Sequence, residues 1–201
     1  VDAIGDARNP SPTTVTKAFS VPAGSKFLSF DASLLDSVNG TPGRDSFGFK
    51  IVDGAGNLLL TVVLKPADQS DDPENNPASW LVFYAIGGGP LQPTEMNIPE
   101  RMLTTFTVIL TPKGVTFRFG PAGESFVFTS PPAPLPQGAD LSDRTLKVVF
   151  EWIFPEGSDP GANFFQFANF SKIPHFPGGV GNRGPNEPFV TDPGKGAVSP
   201  Q

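Results

Sequence analysis

DSFGFKIVDGAGNLLLTVVLK, Asp45 to Lys65, decides the fold class. Phe47, Phe49 and Ile51 recur at every second position, the spacing at which side chains share one face of a strand. Asp53-Gly54-Ala55-Gly56-Asn57 supplies a turn and LLLTVVLK runs back, so the pair reads as an antiparallel hairpin. Outward from it the same signals repeat. TTVTKAFSV alternates polar with apolar, Pro22-Ala23-Gly24 turns the chain, and KFLSFDASLL puts Leu28, Phe30, Ala32 and Leu34 on one face. On the other side WLVFYAI follows a polar loop, and LTTFTVILT and VTFRFG pair around Pro112-Lys113-Gly114. ESFVFTS and the polyproline-like PPAPLPQGADLSD lead to TLKVVFEWIF, where Leu146, Val148, Phe150, Trp152 and Phe154 align. GANFFQFANFSKI, Gly161 to Ile173, closes the series.

The irregular stretch between WLVFYAI and LTTFTVILT admits one short helix within Glu95 to Met102, provided that it starts at Pro99. About ten strands with no fixed repeat predict an all-β, antiparallel two-sheet sandwich of jelly-roll or concanavalin A-like type. It covers residues 17–173, with extended arms at 1–16 and 174–201; the second arm is rich in Gly and Pro, a composition that buries little apolar area. LLLTVVL, WLVFYAI and ANFFQFANF are apolar on both faces, more than a two-sheet sandwich requires. In the last of them Phe165 and Phe167 fall on one side, Phe164 and Phe170 on the other. Loops or a neighbouring chain would have to provide the second cover.

Composition narrows the function. The chain has 201 residues, 24 Pro, 22 Gly and 19 Phe, which suits many short strands around a large core. A net charge of −6 without a basic cluster lacks the footprint of nucleic-acid binding, and no apolar run is long enough to span a bilayer as a helix. Without cysteine there is no disulfide, thiol catalysis or thiolate metal site. The sequence begins at Val1 rather than Met, which predicts a mature exported protein, extracellular or at the cell surface, after removal of a signal peptide.

Catalytic chemistry has little to draw on. The one histidine, His175, lies in a Pro-flanked segment, where a loop position is the simpler reading. Glycoside hydrolysis needs two carboxyl groups at a fixed separation; Glu151 and Glu156 are the nearest candidates, and Glu151 reads as an outer-face residue. The protein is therefore expected not to be an enzyme. Asp68, Asp71 and Asp72, with Glu74 and Asn75, crowd one loop with the hard oxygen ligands that suit calcium. Residues 159–163 beside Asp31 are a second place for such an ion. Trp80, Tyr84 and Trp152 are the candidates for stacking on a sugar, and Asn39 and Asn169 begin N-x-S/T glycosylation sequons.

GRDSFGFKIVDGAGNLLLTV, FTVILTPKGVTFRF and GANFFQFANFSKI together resemble bacterial exported concanavalin A-like or jelly-roll domains of the kind found in surface proteins with PEP-CTERM-type sorting tails. The resemblance spans roughly residues 17–173. It implies an exported sandwich; Ala162 and Ala168 stand where the family pattern often has Asp, a departure that puts in doubt any calcium site the resemblance would carry over. Two functions remain. One is a structural subunit of a surface or filament, joined to copies of itself through the arms and two-faced strands. The other is a carbohydrate-binding, lectin-like module with glycan partners, with or without calcium.

Overall fold

The computed structural model describes residues 2–4, 14–35, 46–66, 79–99, 101–153 and 164–172, and the alternating stretches are strands. Among the described residues twelve strands follow in order: β1 (Asp2–Ile4), β2 (Thr14–Ser20), β3 (Lys26–Leu35), β4 (Ser46–Asp53), β5 (Leu58–Pro66), β6 (Ser79–Ile86), β7 (Gln92–Pro99), β8 (Thr104–Thr111), β9 (Gly114–Pro121), β10 (Phe128–Thr129), β11 (Thr145–Ile153) and β12 (Phe164–Ser171). They form two six-stranded sheets, the first in the order β1-β12-β3-β8-β9-β10 and the second in the order β2-β11-β4-β5-β6-β7. Every pairing is antiparallel. The chain passes back and forth between the sheets, and the result is the jelly-roll sandwich that the hairpins imply.

Phenylalanine builds the layer between the sheets. Phe30 of the first sheet meets Phe49 and Phe150 of the second edge-on, with ring centres 4.9 and 5.2 Å apart. Phe150 lies flat on Phe167 at 3.7 Å and an interplanar angle of 7°. Phe reaches across the roughly 10 Å between packed sheets without a polar atom that would need a partner. The predicted inward faces of β3 and β4 are buried, with Leu28, Phe30, Ala32, Leu34, Phe47, Phe49 and Ile51 all at 1% exposure or less.

The structure departs from the sequence reading in three places. Among the described residues near Pro99 none is helical: Gln92 to Pro99 is β7, the edge strand beside β6. Thr94 turns inward and its Oγ1 donates to the Val82 carbonyl at 3.0 Å, while Glu95 takes a φ of +58° where the pairing shifts register. Pairing with an exposed edge outweighs a weak local helix signal. The described parts of the N-terminal segment, next, belong to the sandwich. β1 pairs with β12, and β2 starts at Thr14 and pairs along β11. Finally, only Phe128–Thr129 of ESFVFTS is strand.

Residues 131–144 carry the chain from the first sheet to the second and are tied down at one end of the sandwich. Lys26, 3% exposed, donates from Nζ to the carbonyls of Pro22 (3.3 Å), Leu141 (2.8 Å) and Asp143. Asp143 accepts from the Gly54 and Thr145 amides, and Asn57 Nδ2 donates to Asp53 and to the Gly138 carbonyl. These bonds fix the β4–β5 turn against the crossover.

Candidate functional site

Since β3, β8, β9 and β12 present their apolar positions inward, the intervening positions form the outward face of the first sheet. On β3 these are Phe27, Ser29, Asp31 and Ser33; on β8, Thr105, Thr107 and Ile109; on β9, Thr116 and Arg118. Register joins them across strands. Ser171 of β12 lies opposite Ser29, Ser29 opposite Thr107, Thr107 opposite Arg118, and Arg118 opposite Thr129 of β10. Hydroxyl groups and one guanidinium thus occupy a single row across the strands, about 19 Å long at roughly 4.8 Å per strand. The neighbouring row holds Ala168, Asp31 and Thr105, and beyond it Gln166 faces Ser33.

A bulge on β12 gives this face its most ordered group. Ala168 pairs with Asp31 and Ser171 with Ser29, so Asn169 and Phe170 together stand opposite Phe30. Asn169 takes φ +55°, a conformation that Asn tolerates better than most residues, and its side chain is exposed. Its Nδ2 donates to Asp31 Oδ2 at 2.9 Å, and Thr105 Oγ1 donates to Asp31 Oδ1 at 2.5 Å. One carboxylate is therefore held by an amide on one side and a hydroxyl on the other. The bulge also turns Phe170 inward, against Phe19 (4.9 Å), Phe30 (5.5 Å) and Phe150 (6.1 Å). Phe170, which unbroken alternation would put on the outer face, packs against the core instead.

The three stacking candidates lie elsewhere. Trp80, 2% exposed, packs in the core with its ring 5.8 Å from Phe47. Trp152 is half-buried and stacks on Phe47 at an interplanar angle of 10°. Tyr84, 8% exposed, sits between Phe117 and Phe128. Period-two alternation explains all three, because it gives them the same inward parity as Val82 and Phe150. None forms an open platform.

The Tyr84 hydroxyl does reach a cleft of about 280 Å³, where it is 3.4 Å from Gln92 Oε1 and where Pro90, Pro131 and Pro132 form walls. Glu151 is an outer-face residue of the second sheet, paired with Lys50 at 2.8 Å. Lys65 Nζ lies 5.1 Å from the Phe83 ring centre, so this face partly covers its own aromatic residue.

Asn39, Asp68, Asp71, Asp72, Glu156, residues 159–163 and His175 lie outside the described residues. Among the described residues no three His, Cys, Asp or Glu side chains gather as metal ligands. At Asp31, Ala168 contributes no oxygen from its side chain and both carboxylate oxygens accept hydrogen bonds, so the described groups do not make a calcium cage. Ser29, Thr107, Arg118 and Thr129 were not legible as a group, because no short motif contains them. Alternation marks each as outward, but only the register across β3, β8, β9 and β10 aligns them.

No family model matches the chain, and no curated protein matches it. Solved structures with a similar arrangement of strands include three of particular interest. The CBM2 module of the evolved Dit protein of Lactobacillus casei BL23 phage J-1 has 11% identity and a TM-score of 0.48 over 77% of this chain and 67% of that one. A tetrameric galectin from the ball sponge Cinachyrella sp. has 14% identity and a TM-score of 0.42 over 79% and 99%. An alginate lyase from Klebsiella pneumoniae has 11% identity and a TM-score of 0.48 over 75% and 60%. These are likenesses of architecture.

Proposed function

We propose that the protein binds carbohydrate without catalysis, through the outward face of the first sheet. The Asp31–Asn169–Thr105 network carries this reading. A sugar hydroxyl both donates and accepts, so it is read best by planar groups of opposite capacity whose orientation is already set. Asp31 supplies acceptor lone pairs, and Asn169 supplies its amide oxygen and a second N–H. Their mutual bond, the Thr105 hydroxyl and the bulge remove rotamer freedom that a ligand would otherwise have to freeze. Ser33 and Gln166 add hydrogen-bonding groups on one side. Phe27 and Ile109, half-buried and opposite one another, offer apolar surface to the C–H side of a sugar ring.

Assembly through the arms has less to stand on. Asp2–Ile4 completes a sheet of its own chain, and Phe170 is covered by its own core. An exported location remains part of the proposal; fractionation of the native cells checks it, and a protein confined to the cytoplasm would contradict it.

The test is a screen of immobilised glycans, followed by calorimetric titration of whatever is retained. Asn169→Gly keeps the backbone conformation and removes the amide, so it should leave the melting temperature in place and weaken binding at least tenfold. Retention of no glycan, or equal binding by the variant, would overturn the reading.

A further inference from the structure

The cleft at Tyr84 lies apart from the Asp31 network, between the β6–β7 end of the second sheet and the segment that follows β10. Its walls are fixed by hydrogen bonds. The Ser130 N–H donates to the Phe117 carbonyl at 2.8 Å, and Ser130 Oγ accepts from the Phe117 amide at 2.9 Å. Ala133 exchanges two main-chain bonds with Val115, at 2.7 and 3.0 Å. Pro131 and Pro132 are thereby pinned from both sides. A Cβ at Gly114 would stand 1.8 Å from the Ala133 carbonyl oxygen, so only glycine there admits the second anchor. On the opposite wall Gly87 takes φ +59° and its amide donates to the Leu59 carbonyl at 3.1 Å, which sets the turn leading to Pro90.

The lining narrows what fits. Among the described residues that form it none carries a charge, so an ion would lose its hydration without gaining a counter-charge. Proline has no N–H, and Pro90, Pro131, Pro132 and Ile86 present apolar surface. The Tyr84 ring is held between Phe117 and Phe128, which leaves its hydroxyl rather than its face to the cleft. That hydroxyl meets Gln92 Oε1 only at 3.4 Å, beyond the roughly 2.5–3.0 Å of a well-formed O–H···O bond. The exposed Gln92 amide has N–H groups to give as well. Two neutral donors therefore meet in an apolar recess of about 280 Å³, at the small end of ligand sites and suited to a single sugar residue.

We propose that this cleft is a second binding site, for an acetyl group carried on a sugar. The acetyl carbonyl oxygen has two lone pairs, one for the Tyr84 hydroxyl and one for an N–H of Gln92, and its methyl group rests on the proline rings. A bare sugar can offer the same donors a hydroxyl oxygen, but its other hydroxyls would then face proline and find no partner. N-acetyl and O-acetyl groups share the chemistry. That the group is carried on a sugar rests on the reading above; the preference for acetyl comes from the cleft itself.

The experiment titrates the full chain with triacetylchitotriose and acetylated xylotriose, and with cellotriose and xylotriose as their acetyl-free counterparts. At least one acetylated oligomer should bind about tenfold more tightly than its counterpart, and which one does separates N-acetyl from O-acetyl. In saturation-transfer NMR its methyl protons should receive the strongest signal. Gln92→Glu keeps the shape of an exposed side chain and turns its donor into an acceptor, so it should lose about tenfold. Tyr84→Phe keeps the ring packing; it should hold the melting temperature while losing about fivefold. Asn169→Gly should leave the preference for acetyl unchanged. Equal affinity for acetylated and bare oligomers overturns the inference, as does acetyl-dependent binding that survives both cleft variants. A chain that binds bare glycans through Asn169 but no acetylated one overturns this inference and leaves the first-sheet reading intact. Binding of no sugar of any kind overturns both.

Discussion

Asn169 shows how much one residue decides. At φ +55° it costs less than a residue with a bulky side chain, it opens the β12 bulge, and it orients Asp31. Asn169→Val should cost about 1–2 kcal/mol, because a β-branched side chain in a left-handed conformation meets its own backbone. Asn169→Gly should stay within about 0.5 kcal/mol of the wild type in urea unfolding. Equal stability of the two would show that the bulge is not what the residue maintains. Lys26 is the corresponding residue at the crossover, its ammonium shared among the Pro22, Leu141 and Asp143 carbonyls. Lys26→Met keeps the apolar stem but leaves these carbonyls without a donor. A loss of about 1–3 kcal/mol is expected from chemical denaturation, and none at all would mean that water replaces the ammonium freely.

Elements were legible where alternation ran unbroken and obscure where it did not. β3, β4 and the first part of β11 present the inward faces that their sequences spell out, because the extra residues in the β3–β12 and β4–β5 pairings fall on β12 and β5 and leave their own alternation unbroken. β7 and β12 hold a register shift and a bulge, and a one-residue change of phase sends every later side chain to the opposite face. That is why Phe170, outward by simple counting, is partly buried against the core. Phe170→Ala should cost about 1–3 kcal/mol, less than emptying a fully buried aromatic site because Phe170 is partly exposed where it packs against the core, whereas an outward Phe would change stability by no more than about 0.5 kcal/mol. The candidate site was hidden for a related reason. Asp31 and Asn169 were each visible in the sequence, but their meeting depends on the pairing of β3 with β12, which no local pattern encodes.

At the scale of the molecule, β1 covers the edge of β12, and the crossover seals one end of the sandwich. Deleting residues 1–5 should expose that edge as a template for pairing, seen as concentration-dependent association in light scattering. A deletion variant that stays monomeric at every concentration would show that β1 does not protect it. Acid should loosen the crossover through Asp140, whose carboxyl is held below its ordinary value of 3.8 by the Ser142 hydroxyl and backbone N–H. A group whose pKa is lowered by folding stabilises above its unfolded value, and that contribution disappears as the pH falls through the folded one. The melting temperatures of wild type and Asp140→Asn should therefore differ near neutrality and converge in strong acid; a constant difference would assign the effect elsewhere. Sugar binding by the first sheet is the claim on which the rest depends. Calorimetric titration of a retained glycan into wild type and Asn169→Gly, at matched melting temperatures, tests it most directly. A saturable heat in the wild type that falls at least tenfold in affinity in the variant is the predicted result, and the same affinity in both would contradict it.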